Sequence, residues 1–300
     1  MKYFLVATVL LFGGIGIIGW LKKEPRAFVQ ETVQEIPLAI SNAPITKPVA
    51  PIAMDPFPEV DRIPLLFAID SSALPIVETV SFTSRVPWLK DRPAWIADYA
   101  SHYQTSRHFI ARSLNRKVDY FTQKVRPGDR FNVFRKDLDL RFHLLVDLSK
   151  CCMRFYYLCN NEKILLKTYR IGVGRVDSNR KSGYLTPVGK YQLGEKVAIY
   201  KPGVTGYFQE EVTEMIRVFG TRWLPFDKEL EGCSEAAKGF GLHGAPWIEG
   251  SDGQLVEDLS KIGQYESDGC IRLASKDIEE LFAILITKPT TVEIVKEYTP

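Results

Sequence analysis

The chain has 300 residues, 45% of them hydrophobic and 25% charged, which is the balance of a folded protein with room for one sizeable domain, a smaller one and extra length at one end. Thirty-nine basic residues against thirty-six acidic leave a net charge of +3, too small to argue for nucleic acid, and no basic run interleaved with aromatics argues for it either. The five cysteines and four histidines show neither Cys-x-x-Cys spacing nor a histidine cluster, so no metal site is expected, and an odd cysteine count leaves at least one thiol over.

From Tyr3 to Trp20 there is no charge in 18 residues, with Lys2 before the run and Lys22-Lys23 after it. As a helix this length reaches about 27 Å, close to the hydrocarbon thickness of a bilayer. The run has no polar face, and no small-x-small cleavage site follows it. Residues 1–24 are therefore read as an uncleaved transmembrane anchor in preference to a signal peptide. Residues 25–93 hold 11 of the 18 prolines, and proline resists both helix and sheet, so this stretch reads as an extended spacer. Two apolar patches within it, Ile63 to Phe67 and Ile76 to Phe82, are places for short strands.

The pattern changes at Ala94. Trp95, Ile96 and Tyr99 share a helical face, and Ser106 can cap a second helix carrying Phe109, Ile110 and Leu114. Pro127-Gly128 then turns the chain into an alternating strand around Phe131 and Val133. This helix-helix-strand order resembles a LysM module, a small βααβ unit that binds the glycan chains of peptidoglycan. Residues 94–138 are read as LysM-like, with a packing unit that binds nothing as the plain alternative.

From His143 onward the chain reads as strands: His143 to Asp147, a turn at Ser149-Lys150, Met153 to Leu158, a second turn at Asn160-Asn161, then Ile164 to Ile171. Further strands follow Gly172-Val173-Gly174 and Thr186-Pro187-Val188-Gly189. Near the end Ser275 can cap a helix carrying Ile278, Leu281, Phe282 and Leu285, with a final strand at Thr291 to Val295. The fold class expected for 139–298 is mainly β with few helices.

Two segments carry the chemistry: Gly241-Leu242-His243-Gly244 and Ser267-Asp268-Gly269-Cys270-Ile271-Arg272. A glycine before a cysteine frees the backbone to aim successive N–H groups at one point, as an oxyanion hole requires. An imidazole nearby can take the thiol proton and lower the cysteine pKa from its free value of about 8.5. Either residue alone is more often structural, Cys270 as a buried apolar side chain and His243 as a satisfied core histidine.

Together the segments resemble the L,D-transpeptidase (YkuD-type) catalytic domain, whose signature is a His-Gly, a gap, then Ser/Thr-His-Gly-Cys, an apolar residue and Arg or Asn. Matching stretches run from about Phe142 to Ile294, including Leu145-Val146-Asp147, Thr186-Pro187-Val188-Gly189 and Gly220-Thr221-Arg222-Trp223-Leu224. The resemblance implies a β-sandwich catalytic domain, no cofactor, and peptidoglycan stem peptides as partners in the bacterial cell envelope, on the periplasmic face of the inner membrane. Carried over by position, Cys270 is the nucleophile, His243 the base, and the Gly244 carbonyl orients the imidazole. The amides of Asp268, Gly269 and Cys270 form the oxyanion hole; Ser267, Arg272 and Trp223 are the candidate substrate contacts, Arg272 holding a substrate carboxylate or, on the plain alternative, making a salt bridge that fixes the Cys270 loop, and Trp223 lying in the cleft or in the core; Tyr207 and Phe208 lie on a flap. Two departures stand out. Asp268 replaces the second histidine of the signature, where a carboxylate would either hold the imidazolium or raise the thiol pKa. Residues Trp247 to Tyr265 form an inserted loop, a lid or a substrate wall.

The implied activity is acyl transfer through a Cys270 thioester with release of terminal D-alanine. The alternatives are hydrolysis of the same thioester and a catalytically silent wall-binding protein, which Asp268 favours. Cys151, Cys152 and Cys159 read as structural, and Cys233 is a candidate to form a reversible disulfide with Cys270.

Overall fold

A computed structural model describes residues 60–115 and 124–299. The apolar run Tyr3–Trp20, expected as a membrane anchor, lies outside the described residues; within them no helix is long and apolar enough to cross a membrane.

The described part opens with a short helix α1 (Ile63–Phe67) and strand β1 (Val77–Ser81), followed by helices α2 (Ile96–His102) and α3 (Arg107–Asn115) and strand β2 (Arg130–Phe134). The patch at Ile63 was expected as a strand. It is a helix because Pro64 sits in its first turn, where the missing N–H costs nothing, and Ile63 and Leu66, three apart, then face the core together. β1 and β2 pair antiparallel, Val77 opposite Phe134 and Ser81 opposite Arg130, so the order here is β-α-α-β. Ser106 caps α3 as expected, its hydroxyl accepting from Phe109 N at 3.0 Å. Residues 60–82 therefore supply folded elements at the end of the proline-rich stretch.

A three-strand meander follows: β3 (Arg141–Asp147), β4 (Cys152–Cys159) and β5 (Glu162–Arg170). Its turns form where the sequence places turn residues. Asn160 and Asn161 both have positive φ, 51° and 64°, the requirement of a two-residue type I′ hairpin and one that asparagine tolerates. At the other end Asp147 Oδ1 accepts from the Ser149 hydroxyl at 2.7 Å. Next come β6 (Val173–Gly174), β7 (Gly189–Leu193), β8 (Ala198–Ile199), the hairpin β9 (Thr205–Phe208) and β10 (Glu211–Glu214), and the short helix α4 (Ile216–Phe219). The chain continues through β11 (Arg222–Glu231), β12 (Gly241–Gly244), the hairpin β13 (Trp247–Glu249) and β14 (Leu255–Glu257), β15 (Tyr265–Ser267) and β16 (Ile271–Leu273). It ends with helix α5 (Ser275–Leu285) and β17 (Thr290–Val295).

Among the described residues nine strands form one continuous sheet in the order β16-β12-β11-β7-β17-β3-β4-β5, with β8 also pairing β11. β11 joins its two parts. Residues 222–225 pair with β12 and β8, whereas 226–231 pair with β7 through two register irregularities. Bulges of this kind bend a strand and let it pass from one part of a sheet to another. The domain is thus mainly β with few helices. The main core lies on the sheet around Phe142, Phe155, Tyr169, Leu242, Leu281 and Phe282; each such side chain contributes about 1.5–3 kcal/mol by leaving water.

α5 carries its apolar residues at the expected spacing, but its cap differs. Ser275 is the first helical residue, and the Glu257 carboxylate accepts its N–H while its hydroxyl accepts from Trp247 Nε1 at 3.3 Å. The β13–β14 hairpin therefore caps this helix, with a negative charge at the positive end of the helix dipole.

Candidate active site

Register sets the geometry. Trp223 on β11 lies opposite His243 on β12, and His243 opposite Arg272 on β16. Directly paired residues share a face and side chains alternate along a strand. Trp223, His243 and Arg272 thus form one row, and Cys270, two positions before Arg272, falls on the same side. The sulfur lies at the start of this row, where the Gly241 N–H points at it.

Cys270 is 7% exposed and packs with Met215, Phe219 and Trp223. Its Sγ donates to the Gly239 carbonyl at 3.6 Å. Burial pushes the thiol up to about 12; the Gly241 amide and the Arg272 charge pull it down, and Asp268 adds a small push upward. His243 is 3% exposed, with Nδ1 2.7 Å from the Gly244 carbonyl. Nδ1 carries the proton in that contact, leaving Nε2 with the lone pair. Phe219 meets the imidazole edge-on at 5.4 Å and Trp223 lies tilted against it at 5.9 Å. Burial first, then the Arg272 charge, lower the imidazole pKa to about 3, against the opposing pull of the Gly244 and Phe219 carbonyls. Both groups therefore rest neutral. The depressed thiol pKa expected for an ion pair is reversed, because desolvation outweighs every nearby positive charge.

Glycines make these approaches possible. Gly269 has φ 125°, and a Cβ there would lie 2.5 Å from the Phe240 ring. Gly220 has φ 60°, and its Cβ would lie 2.5 Å from the Gly244 carbonyl carbon. The end of α4 and the strand that bears His243 consequently meet backbone to backbone.

Residues 141–294 match the family YkuD, the L,D-transpeptidase catalytic domain. The chain belongs to this family. Its members are L,D-transpeptidases, and the match covers just over half of the chain. Two similar solved structures are Bd1075 of Bdellovibrio bacteriovorus and the helical cell shape determining protein Pgp2 of Campylobacter jejuni. The first is 15% identical with a TM-score of 0.36, covering 53% of this chain and 49% of that one. The second is 19% identical with a TM-score of 0.36, covering 54% and 49%. The chain spans about half the length of either. Among curated proteins no relative matches.

The remaining expected site residues of this L,D-transpeptidase domain divide into two groups. Arg272 stays beside the thiol and the imidazole, its charge acting on both. It forms no ion pair within 4.0 Å among the described residues, and its Nε is buried without a hydrogen-bond partner. The salt bridge weighed against a substrate role is absent there. Trp223, also expected at the substrate, is 3% exposed and packs under the imidazole instead. Ser267 is buried, and its hydroxyl serves the Cys270 turn, donating to Cys270 O at 2.6 Å and accepting from Gly269 N at 3.2 Å. It shapes the turn rather than meeting a ligand. The same bond corrects the oxyanion hole: the Gly269 N–H is occupied by Ser267, leaving the Asp268 and Cys270 amides as candidate donors.

The Asp268 carboxylate pairs with Arg175 at 2.5 Å. Arg175 escaped sequence reasoning, since 93 positions separate the partners and nothing local marks it. Phe219, Gly239 and Phe240 were missed too, although Phe219 directly precedes the matching Gly220 segment. Tyr207 on the β9–β10 hairpin is 59% exposed, while Phe208 packs into the cluster around Cys270. The inserted loop folds as the β13–β14 hairpin, which packs on α4 and leaves Ile248, Val256 and Leu259 exposed. All five cysteines are free. Cys233 donates to Lys190 O at 3.0 Å and packs against the main core, apart from the cluster that holds Cys270, so the considered Cys233–Cys270 disulfide is not formed.

Proposed function

We propose that the protein is a peptidoglycan L,D-transpeptidase of the bacterial cell envelope, anchored through residues 1–24 with its catalytic domain on the periplasmic side. The observation that carries this reading is the row Trp223–His243–Arg272 with Cys270 at its edge, because it brings to one face a thiol, an imidazole whose Nδ1 is engaged by the Gly244 carbonyl, and a guanidinium with no ion pair within 4.0 Å among the described residues. Cys270 Sγ attacks the carbonyl carbon of the third stem residue of a donor tetrapeptide. Its proton passes to His243 Nε2, a C–S bond forms, and the C–N bond to the terminal D-alanine breaks as the imidazolium returns the proton to the leaving amine. The side-chain amine of a diamino acid on a neighbouring stem then attacks the thioester. Its proton goes through His243 to the departing thiolate, leaving a 3-3 type cross-link. Since both groups rest neutral, proton transfer accompanies attack instead of preceding it. The Asp268 and Cys270 amides would receive the developing oxyanion, and Arg272 a substrate carboxylate. Water in place of the amine would make the same site a carboxypeptidase. The LysM-like segment 94–138 would hold glycan chains.

One observation favours a second reading, a catalytically silent wall-binding protein: the thiol is packed among Met215, Phe219 and Trp223 with its pKa near 12. Mass measurement after incubation with a carbapenem separates the two. A covalent adduct that disappears in Cys270→Ala supports the enzyme, and no adduct between pH 6 and pH 9 supports the binder. A tetrapeptide donor with and without an amine acceptor then separates transfer from hydrolysis.

A further inference from the structure

Arg175 grips the Cys270 turn at two points. Its N–H donates to the Ser267 carbonyl at 3.0 Å, and its guanidinium donates to Asp268 Oδ1 at 2.5 Å. The first contact follows from register: β6 and β15 run parallel with Gly174 beside Ser267, so the residue after Gly174 reaches the carbonyl that ends β15. Arg175 is itself fixed. Its carbonyl accepts from Leu185 N at 2.8 Å, and Val176 bridges to Tyr184, which folds residues 175–185 back on themselves. At the root of that loop the Thr186 hydroxyl accepts from Gly174 N at 2.7 Å, and the Leu185 carbonyl oxygen stands 2.9 Å from where a Gly269 Cβ would lie. The loop thus meets Ser267, Asp268 and Gly269 in succession.

The Ser267 carbonyl and the Asp268 N–H belong to one peptide group. That group is planar and trans, so its oxygen and its hydrogen point in opposite directions. Anchoring the oxygen on Arg175 N therefore fixes the line along which the Asp268 N–H is aimed. The second anchor, on the Asp268 side chain, opposes rotation about that line. We infer that Arg175 is a positioning residue for the reaction proposed above: acting through Asp268, it holds the Asp268 N–H in the direction from which it would receive the oxyanion formed when Cys270 attacks. The inference rests on the transpeptidase reading. It also gives a purpose to the carboxylate that stands where the family signature has histidine: Asp268 is the handle of Arg175 instead of a partner for the imidazole. Its charge is the weakest of the influences on the thiol, so the pair bears on orientation more than on acidity.

Two reactions of the same sulfur, measured on the full-length chain, test this. Carbapenem acylation forms a C–S bond at the lactam carbonyl, passes through an oxyanion, and breaks the lactam C–N bond as the nitrogen takes the thiol proton. Iodoacetamide alkylation forms a C–S bond as iodide leaves, and no oxyanion arises. Arg175→Met is expected to slow acylation about tenfold, a part of the roughly 10²–10³-fold that loss of a whole donor costs. Alkylation is expected to stay within about twofold, because the charges altered are screened by solvent. Asp268→Ala does the same, the double variant is no slower than either single one, and Arg175→Lys, which keeps the charge, recovers most of the rate. Unchanged acylation in Arg175→Met would overturn the inference. So would acylation and alkylation slowed in equal measure, since a disturbed thiol would then be the cause. If no carbapenem acylates the parent chain, the transpeptidase reading fails and takes the inference with it. The two side chains are 28% and 51% exposed, so Arg175→Met is expected to fold; should it not, Asp268→Ala decides by the same pair of rates.

Discussion

Two buried polar groupings lie on this sheet, and they are built on opposite plans. Around Lys167 on β5, the ammonium reaches Glu280 at 2.8 Å, Asp61 at 3.3 Å and Asp277 at 3.6 Å, and Tyr169 donates to Glu280 at 2.7 Å. Burial pulls the lysine pKa down, but the Glu280 hydrogen bond and the three carboxylates more than restore it, and the net shift is upward. Around Cys270 the groups are buried more deeply, the thiol 7% and the imidazole 3% exposed, and the carboxylates that act on Arg272, Asp268, Glu266 and Asp258, do so from beyond ion-pair distance. The thiol and imidazole are both forced neutral, and the guanidinium beside them lacks a carboxylate within 4.0 Å among the described residues. The first grouping spends its charges on one another and fixes the segment before α1, β5 and α5 in place. The second leaves its groups unspent, as chemistry requires.

Removing one member from each grouping gives the widest contrast. Cys270→Ala is expected to abolish carbapenem acylation and D-alanine release while leaving thermal unfolding nearly where it was, since a small buried side chain replaces another. Lys167→Met is expected to do the reverse: about 3–5 kcal/mol of stability lost in urea unfolding, because Glu280 and Asp277 stay buried without their cation, with acylation retained under folding conditions. A Lys167→Met protein of unchanged stability would end the comparison.

Titration sharpens it. The His243 pKa is depressed in the folded state to about 3 from an ordinary 6.5, so the unfolded chain binds the extra proton and stability falls as pH drops below about 6.5. Between pH 6.5 and pH 5 that contribution is about 1.5 kcal/mol. Urea unfolding at the two pH values should show it, and His243→Gln should remove that share of the slope, leaving the share of His143, whose pKa burial also lowers, to about 4. At the thiol, alkylation of Cys270 by iodoacetamide should rise about tenfold per pH unit from pH 6 to pH 9 without a plateau, as a pKa near 12 requires; a plateau below pH 8 would mean an ion pair at rest. The smallest effect belongs to Asp268→Asn. Its pair with Arg175 is half in solvent, the side chains being 51% and 28% exposed, so stability should change by less than about 1 kcal/mol.

What could be read from the chain follows the range of the interactions. The meander β3–β5, the Asn160-Asn161 turn and the apolar face of α5 depend on neighbours a few positions apart, and all of them announce themselves locally. His243 and Cys270 were legible because two short motifs mark them. What failed depends on contacts across the fold. The α5 cap comes from Glu257 instead of Ser275, because the inserted hairpin reaches the helix start. The Gly269 amide is claimed by Ser267, Trp223 is buried by α4, and Asp268 finds Arg175. The fall in acidity of the thiol had no sequence signal either: proximity to histidine argues for a thiolate, and only the depth of packing reverses the sign.

The backbone contact between Gly220 and Gly244 ties the aromatic cover of the sulfur to the imidazole. With no side chain between the two segments to take up slack, whatever shifts Phe219 also shifts the ring that would receive the proton in the proposed reaction. Uncovering the sulfur and re-aiming the imidazole are then a single movement, which in the proposed reaction a donor peptide would set off.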